Sequence, residues 1–270
     1  MGVSRLGDTV EVMRALKFTL IPTKDQEQHL RNASGAARWA YNYALEMKDN
    51  YYKEYGKNLK EGDIRKTITA LKKKEEYKWL YEVSAQIPKQ AVKDLDRAFQ
   101  NFFNGNARHP RFKAKGKCRE GFYTERIRFE RRNNRIYVKI EKLKDLILIS
   151  KEATKYKNIE KARGVFLNPR IHFNGKRWEL SFSIKLTLPK KELTDEVLGV
   201  DLGVAHTAIC SDGDVFDNIN KTSDNIKKLE RRKKRIQRKI SKKYDMNKEG
   251  NKVIKTNNIR KEEEKLLKLN

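Results

Sequence analysis

Leu198-Gly199-Val200-Asp201-Leu202-Gly203-Val204 sets one carboxylate inside an apolar run. An ionised carboxylate is costly to bury unless it is paired or holds a metal, so Asp201 needs a reason to be there. The flanking residues predict a strand; Ala208-Ile209-Cys210 continue the apolar pattern, and Ser211-Asp212-Gly213-Asp214 predicts a turn before Val215-Phe216. The expectation is strand, hairpin, strand, with Asp201 on the first strand. Gly203 stands two residues on, on the same face, and leaves bare backbone beside the carboxylate, with room for a phosphate or a metal-bound water. The competing reading of a lone D-x-G is a helix cap or a turn.

What surrounds this stretch is strongly basic. The 270 residues hold 63 Lys and Arg against 36 Asp and Glu, a net charge of +27, and 37% hydrophobic residues still allow one or two folded domains. Such an excess concentrates polyanions and releases counterions on binding, which makes nucleic acid the expected partner. A membrane surface is the rival polyanion. Against it, the sequence has no apolar run long enough to span a bilayer, no signal peptide, and Leu6 where a myristoylation site wants Ser or Thr. Cys118 and Cys210 form no C-x-x-C pair, so no zinc site is expected, and the expected compartment is the cytoplasm.

Taken in order, residues 1–12 show no clear pattern, and Met1 and Met13 both remain candidate starts. Leu16, Phe18 and Leu20 alternate with Ala15, Lys17 and Thr19, the period of a half-buried strand ending at Pro22. Thr23-Lys24-Asp25-Gln26 reads as a capping box, and the helix it opens carries the stripe Leu30, Ala33, Ala37, Tyr41, Ala44 and Leu45. A second helical stretch is expected over about 63–71. A third, capped by Ser84, presents Ile87, Ala91, Leu95, Ala98, Phe99 and Phe102. The texture then turns to β. Asn133-Asn134 reads as a turn, and Asn174-Gly175 as the strongest hairpin signal in the chain. Antiparallel strands at this spacing suggest a small barrel to which the strand at 14–20 returns.

Two segments have the composition of nucleic-acid contacts. Residues 108–117 alternate cations with small or aromatic residues, offering Arg111, Lys113, Lys115 and Lys117 to a phosphate backbone. Residues 221–270 hold 19 Lys and Arg against 7 Asp and Glu. Within them Arg231, Arg232, Lys233, Lys234, Arg235, Arg238 and Lys239 surround the helical stripe Ile226, Leu229, Ile236 and Ile240. Basic helices are often merely solvated, but this density implies self-repulsion without a polyanion.

Several stretches together resemble the transposon-encoded TnpB family, the OrfB-type transposases similar to type V CRISPR effectors. They are Leu16-Lys17-Phe18-Thr19-Leu20-Ile21-Pro22-Thr23 with the helix to Tyr41-Asn42, the pattern over 86–103, Pro110-Arg111-Phe112-Lys113, and Leu198 to Asp214. The resemblance implies an α+β multidomain protein: a small antiparallel β-barrel wedge (13–22 and 106–190) interrupted by a helical recognition lobe (23–105). A linker over 189–196 then leads to a partial RNase H-like RuvC domain with a basic helix (196–270). It further implies a guide RNA from the transposon end and a double-stranded DNA target, with sequence read by base pairing. Asp201 matches the first catalytic carboxylate, one of the ligands of Mg2+ ions that activate water.

The family supplies a Glu and a second Asp well downstream, with a zinc ribbon between them. The chain ends at Asn270 before any such strand; Glu262-Glu263-Glu264 lies in a charged, helix-prone stretch, and Asp212 and Asp214 suit the turn. The expectation is therefore a C-terminally truncated member that binds no stable Mg2+ and does not cleave by itself. The alternatives are a nuclease-deficient RNA-guided repressor or regulator and, more remotely, an actin-like nucleotide-binding enzyme, whose first phosphate hairpin also opens D-L-G but near the N-terminus. The sequence leaves the oligomeric state open.

Overall fold

A computed structural model describes residues 9–150, 166–189, 195–250 and 252–269. Contacts divide the chain into two units, Met1–Pro189 and Lys190–Asn270. Part of the expected linker, residues 190–194, lies outside the described residues, as do 1–8 and 151–165.

In the first unit, β1 (Thr9–Ile21) leads into α1 (Lys24–Tyr55), α2 (Glu61–Leu71), a 3-10 turn (Glu75–Tyr81) and α3 (Gln86–Phe103). The strands β2 (Gly121–Tyr123), β3 (Ile127–Arg132), β4 (Arg135–Ile140), β5 (Ile147–Ile149), β6 (Leu167–Phe173) and β7 (Trp178–Pro189) follow. They form one antiparallel sheet in the order β2-β6-β7-β1-β5-β4-β3, so the first strand does return to the middle of the later ones. β1 pairs with β7 from Thr9↔Pro189 to Leu20↔Trp178, a longer ladder than the alternation at 14–20 predicts. Its added half carries exposed Val10, Val12 and Met13, which face no core and so left no periodic signal.

The expected barrel is corrected to a curled, open sheet, because β2 and β3 are its two edges. Strands β7 and β3 are four ladders apart, about 19 Å on a flat sheet at 4.7–4.9 Å per strand. Yet the rings of Phe129 on β3 and Phe182 on β7 lie 5.5 Å apart, with Phe18 of β1 within 5.9 Å of Phe129. These phenylalanines fill the concave face with Leu16, Leu20, Val138 and Leu180, all buried.

The two hairpins reverse the ranking of their sequence signals. Asn133 and Asn134 both take left-handed φ (46° and 59°), the tight two-residue turn that matches strand twist. Asn174-Gly175 instead opens a four-residue loop between β6 and β7, in which the Asn174 side-chain oxygen accepts from the amides of Lys176 and Arg177 (both 2.9 Å) and Gly175 takes φ 91°.

The capping box at Thr23 forms: its hydroxyl accepts from the Gln26 amide (3.3 Å) and Gln26 accepts from the Thr23 amide (3.0 Å). Gln26 also donates to the Leu146 carbonyl (3.1 Å), fixing the helix start to the sheet. At 32 residues α1 is about 48 Å long. Leu30, Ala33 and Ala36 of its first half pack on the sheet. Ala40, Tyr41, Ala44 and Leu45 of its second half pack with Ile64 and Ile68 of α2 and Ala91, Val92 and Leu95 of α3. One helix thus belongs to both cores, and the small residues along its stripe let the neighbouring helices approach.

The second unit holds β8 (Val200–Asp201), β9 (His206–Cys210), β10 (Val215–Asp217), α4 (Ile219–Thr222) and α5 (Asp224–Met246). The short pair β11 (Lys248–Glu249) and β12 (Lys252–Val253) then leads to α6 (Asn257–Leu267). The order β10-β9-β8 is the expected strand and hairpin, with Asp201 opposite Ile209. Ile236 and Ile240 of α5 and Ile259 of α6 are its buried helical residues.

Candidate nucleic-acid interface and the Asp201 strand

Asp201 sits on an exposed strand of two paired residues, and the premise of a buried carboxylate is corrected: Leu198, Val200, Leu202 and Val204 are all more than half exposed. Water solvates the charge there, so burial exerts no demand for a counter-ion. A Cβ on Gly203 would stand 3.1 Å from the His206 carbonyl oxygen, so the glycine also serves the close turn into β9. Asp212 accepts from the Asp214 amide (3.1 Å) and Gly213 takes φ 95°, which makes these acids turn residues as expected. Asp217 is bonded to His206 Nδ1 (2.8 Å). Among the described residues no three His, Cys, Asp or Glu converge as metal ligands. The donor set that a pair of Mg2+ ions requires is not assembled by them, and Asp201 alone does not fit that group.

The basic helix is built as its spacing requires. α5 carries eleven Lys and Arg against three acids. Ile236 and Ile240 turn inward, while Arg231, Arg232, Lys234, Arg235, Arg238 and Lys239 are exposed and Lys233 is half-buried at the margin. Leu229, expected in the apolar stripe, is half exposed. None of the seven cations has an ion-pair partner among the described residues. Residues three and four apart on a helix are neighbours at about 5–6 Å, so this face repels itself and favours an anionic partner.

The 111–117 segment is split by its own geometry. Arg111, Lys115 and Lys117 are exposed, but Lys113 turns inward. Asn42 of α1 clamps its peptide, accepting from the Lys113 amide (2.8 Å) and donating to the Lys113 carbonyl (2.9 Å). The Lys113 ammonium lies 3.6 Å from the centre of the Tyr41 ring. Burial pushes its pKa down, against the opposing pull of Asp94. Asp94 of α3 is held by Arg170 of β6 through two bonds of 2.8 Å and by Gln90 at 3.0 Å. Burial pushes that carboxyl up, but the bonds from Arg170 and Gln90 and the charges of Arg170 and Lys113 hold it below its ordinary value.

This Asp94–Arg170 pair, 76 positions apart, left no sequence signal, since neither residue breaks the pattern of its own element. The pair and Lys113 line a cavity of about 310 Å³ between α1, α3, the 113–121 segment and the β2–β6 edge of the sheet.

Residues 12–57 match the helix-turn-helix domain family HTH_OrfB_IS605. The chain is similar to a protein named RNA-guided DNA endonuclease InsQ from Escherichia coli (strain K12), at 30% identity over 84% of this chain and 54% of that one. A Streptomyces pristinaespiralis protein also named for RNA-guided DNA endonuclease activity is 28% identical over 77% of this chain and 50% of its own length. The chain thus spans about half the length of these relatives. Among solved structures, a CRISPR-Cas12f ternary complex aligns with a TM-score of 0.41 at 15% identity, over 80% of this chain and 53% of that one.

Proposed function

Because the chain belongs to the TnpB family of OrfB-type transposon proteins, we propose that its 270 residues hold a guide RNA from the transposon end and a double-stranded DNA target. The observation that carries this reading is α5: seven cations on or beside one solvent face, none of them in an ion pair among the described residues. Helix-borne cations of this density neutralise phosphates and release counterions, a sequence-independent grip suited to a chain whose specificity comes from base pairing. Exposed Arg111, Lys115 and Lys117 extend the same chemistry to the first unit.

The domain reading that goes with this is a wedge formed by 13–22 and 106–190, a helical recognition lobe over 23–105, and a partial RuvC domain over 196–270. Asp201 is its first carboxylate. The Mg2+ ions of the complete family site need further carboxylates, and among the described residues no such group converges, so the activity proposed for these residues is binding. Among the described residues no helix is long and apolar enough to cross a membrane, and the proposed place of work is at cytoplasmic DNA.

Sequencing the RNA that co-purifies with the chain tests the reading. A discrete species from the flanking transposon end is expected, with affinity falling steeply as salt rises; a random RNA population bound independently of salt overturns it. A guide-directed cut made by these 270 residues with Mg2+ overturns the binding-only part alone.

A further inference from the structure

A concave site lies beside Lys113 in the first unit. Its floor is apolar: Ile87 and Ala91 of α3, and Phe122 and Ile171 of the sheet edge. Its polar side is fixed in advance, because Asp94 is pinned by Arg170 and Gln90 and none of the three can turn away without losing a bond. At its rim stand Arg38 and Arg119, neither in an ion pair among the described residues. The lining carboxylate of Glu120 is taken up by Arg31 (3.1 Å), so an apolar floor beside immobilised polar groups and two guanidiniums outside ion pairs is complementary to a flat aromatic ring carrying a phosphate. The volume, about 310 Å³, stands at the small end of ligand sites, which run from about 300 to 1,000 Å³.

The neighbouring segment says how such a ligand arrives. Along 111–117 the exposed cations Arg111, Lys115 and Lys117 flank the single inward one, Lys113, which lines the cavity. A strand whose phosphates follow the outward cations passes the cavity mouth. We infer that the cavity takes one unpaired nucleotide of the bound RNA, its base in the slot between α3 and the sheet edge and its phosphate on Arg38 and Arg119. RNA is favoured over duplex DNA because its loops present splayed bases at no cost, whereas a base in a duplex must first be unstacked and unpaired.

The inference rests on the RNA-binding reading above, and the test separates the two. The RNA that co-purifies with the full chain is probed at every 2′-hydroxyl by acylation, bound to wild type, to Ala91→Met, which fills the slot, and to Arg119→Gln, which alters only an exposed rim residue. One unpaired nucleotide should be protected in the wild-type complex, and its reactivity should rise about tenfold in both variants, within the range that losing one stacked base produces. RNA should still co-purify with both variants, since most phosphate contacts lie outside the cavity.

RNA retained with identical reactivity profiles in all three proteins overturns the cavity assignment and leaves the RNA-binding reading standing. Absence of bound RNA overturns both. If Ala91→Met does not fold, Arg119→Gln decides alone, and an unchanged profile in it counts against the cavity. A wild-type complex in which no unpaired RNA nucleotide is protected also refutes the inference.

Discussion

Replacing Arg231, Lys234 and Arg238 together by Gln should flatten the salt dependence of nucleic-acid binding without loosening the fold. From Arg231 to Lys242, α5 advances about 16 Å at 1.5 Å per residue, close to the axial rise of about five nucleotides at 3.4 Å each. The three side chains lie on successive turns of the face opposite Ile236 and Ile240, so each can meet its own phosphate. Every lost phosphate contact removes about 0.7 to 0.9 from the slope of log affinity against log salt, so three remove about 2 to 2.7. Between about 50 and 200 mM salt, the wild-type chain should therefore lose about 20- to 40-fold more affinity than the variant. Fluorescence anisotropy of the co-purifying RNA across a salt series reads this difference. All three residues are exposed, so the unfolding free energy should move by no more than about 0.5 kcal/mol. An unchanged slope in a normally folded variant refutes the assignment of this helix to a phosphate backbone.

Glu179 on β7 is 3% exposed and is met by His172 (3.0 Å), Asn174 (2.8 Å), Arg177 (3.5 Å) and Lys17 (3.6 Å). Glu179→Ala should cost about 2 to 3 kcal/mol, less than a sealed pair because Lys17 and Arg177 reach solvent; a denaturant midpoint equal to wild type would show that water already screens the cluster. For Glu179, burial pushes the carboxyl up, but Lys17, His172 and Asn174 outweigh it and hold it low, as Asp94 is also held low. These carboxylates stabilise the fold fully above the ordinary carboxylate range near pH 4 and lose that contribution as pH falls through their lowered values. A Glu179→Gln and Asp94→Asn double variant should accordingly show a flatter stability curve below about pH 4.5, and a curve parallel to wild type would contradict the assignment. Ile259→Ala removes the fully buried side chain of α6 and should cost about 2 to 5 kcal/mol, with faster amide exchange around Ile236 and Ile240; unchanged exchange there would show that the two helices do not depend on one another. Asp201→Asn should leave thermal stability within about 0.5 kcal/mol, and a large loss of stability would give that carboxylate a structural role its exposure does not suggest.

What was legible in the sequence follows the range of the interactions responsible. The capping box at Thr23 and the α1 stripe involve residues three and four apart, and both formed as predicted. The alternation of Leu16, Phe18 and Leu20 is equally local, and those side chains are buried. The failures turn on side-chain contacts that composition does not announce, one of them local and the others between distant segments. Asn174-Gly175 has the tight-turn composition, yet the Asn174 side chain bonds Glu179 (2.8 Å) and the amides of Lys176 and Arg177, and these bonds hold a wider loop. Lys113 belongs by composition with Arg111 and Lys115, but the Asn42 clamp and the Tyr41 ring, both some 70 positions away, turn it inward. The Asp94–Arg170 pair is of the same kind, visible only once α3 and β6 are side by side.

Asp201 shows why a motif and its environment must be argued separately. The apolar flanks correctly announce a strand, because β8 pairs with β9 at Val200↔Cys210 and Asp201↔Ile209. Apolar flanks do not by themselves bury a strand; burial needs a layer laid against it. In this unit Val200, Val204, Val215 and Phe216 are each more than half exposed. The carboxylate therefore incurs no desolvation penalty where it stands, and burial can no longer serve as the reason for its presence. What remains is position: an acid on the first strand of a hairpin, followed in the same unit by a helix whose outward face is almost entirely cationic. A phosphate backbone held by such a helix supplies the negative charge that a lone carboxylate would repel, unless a cation lies between them. The nuclease reading of Asp201 thus depends on the α5 grip being real, and loss of that grip would remove the reason for assigning the carboxylate any chemistry.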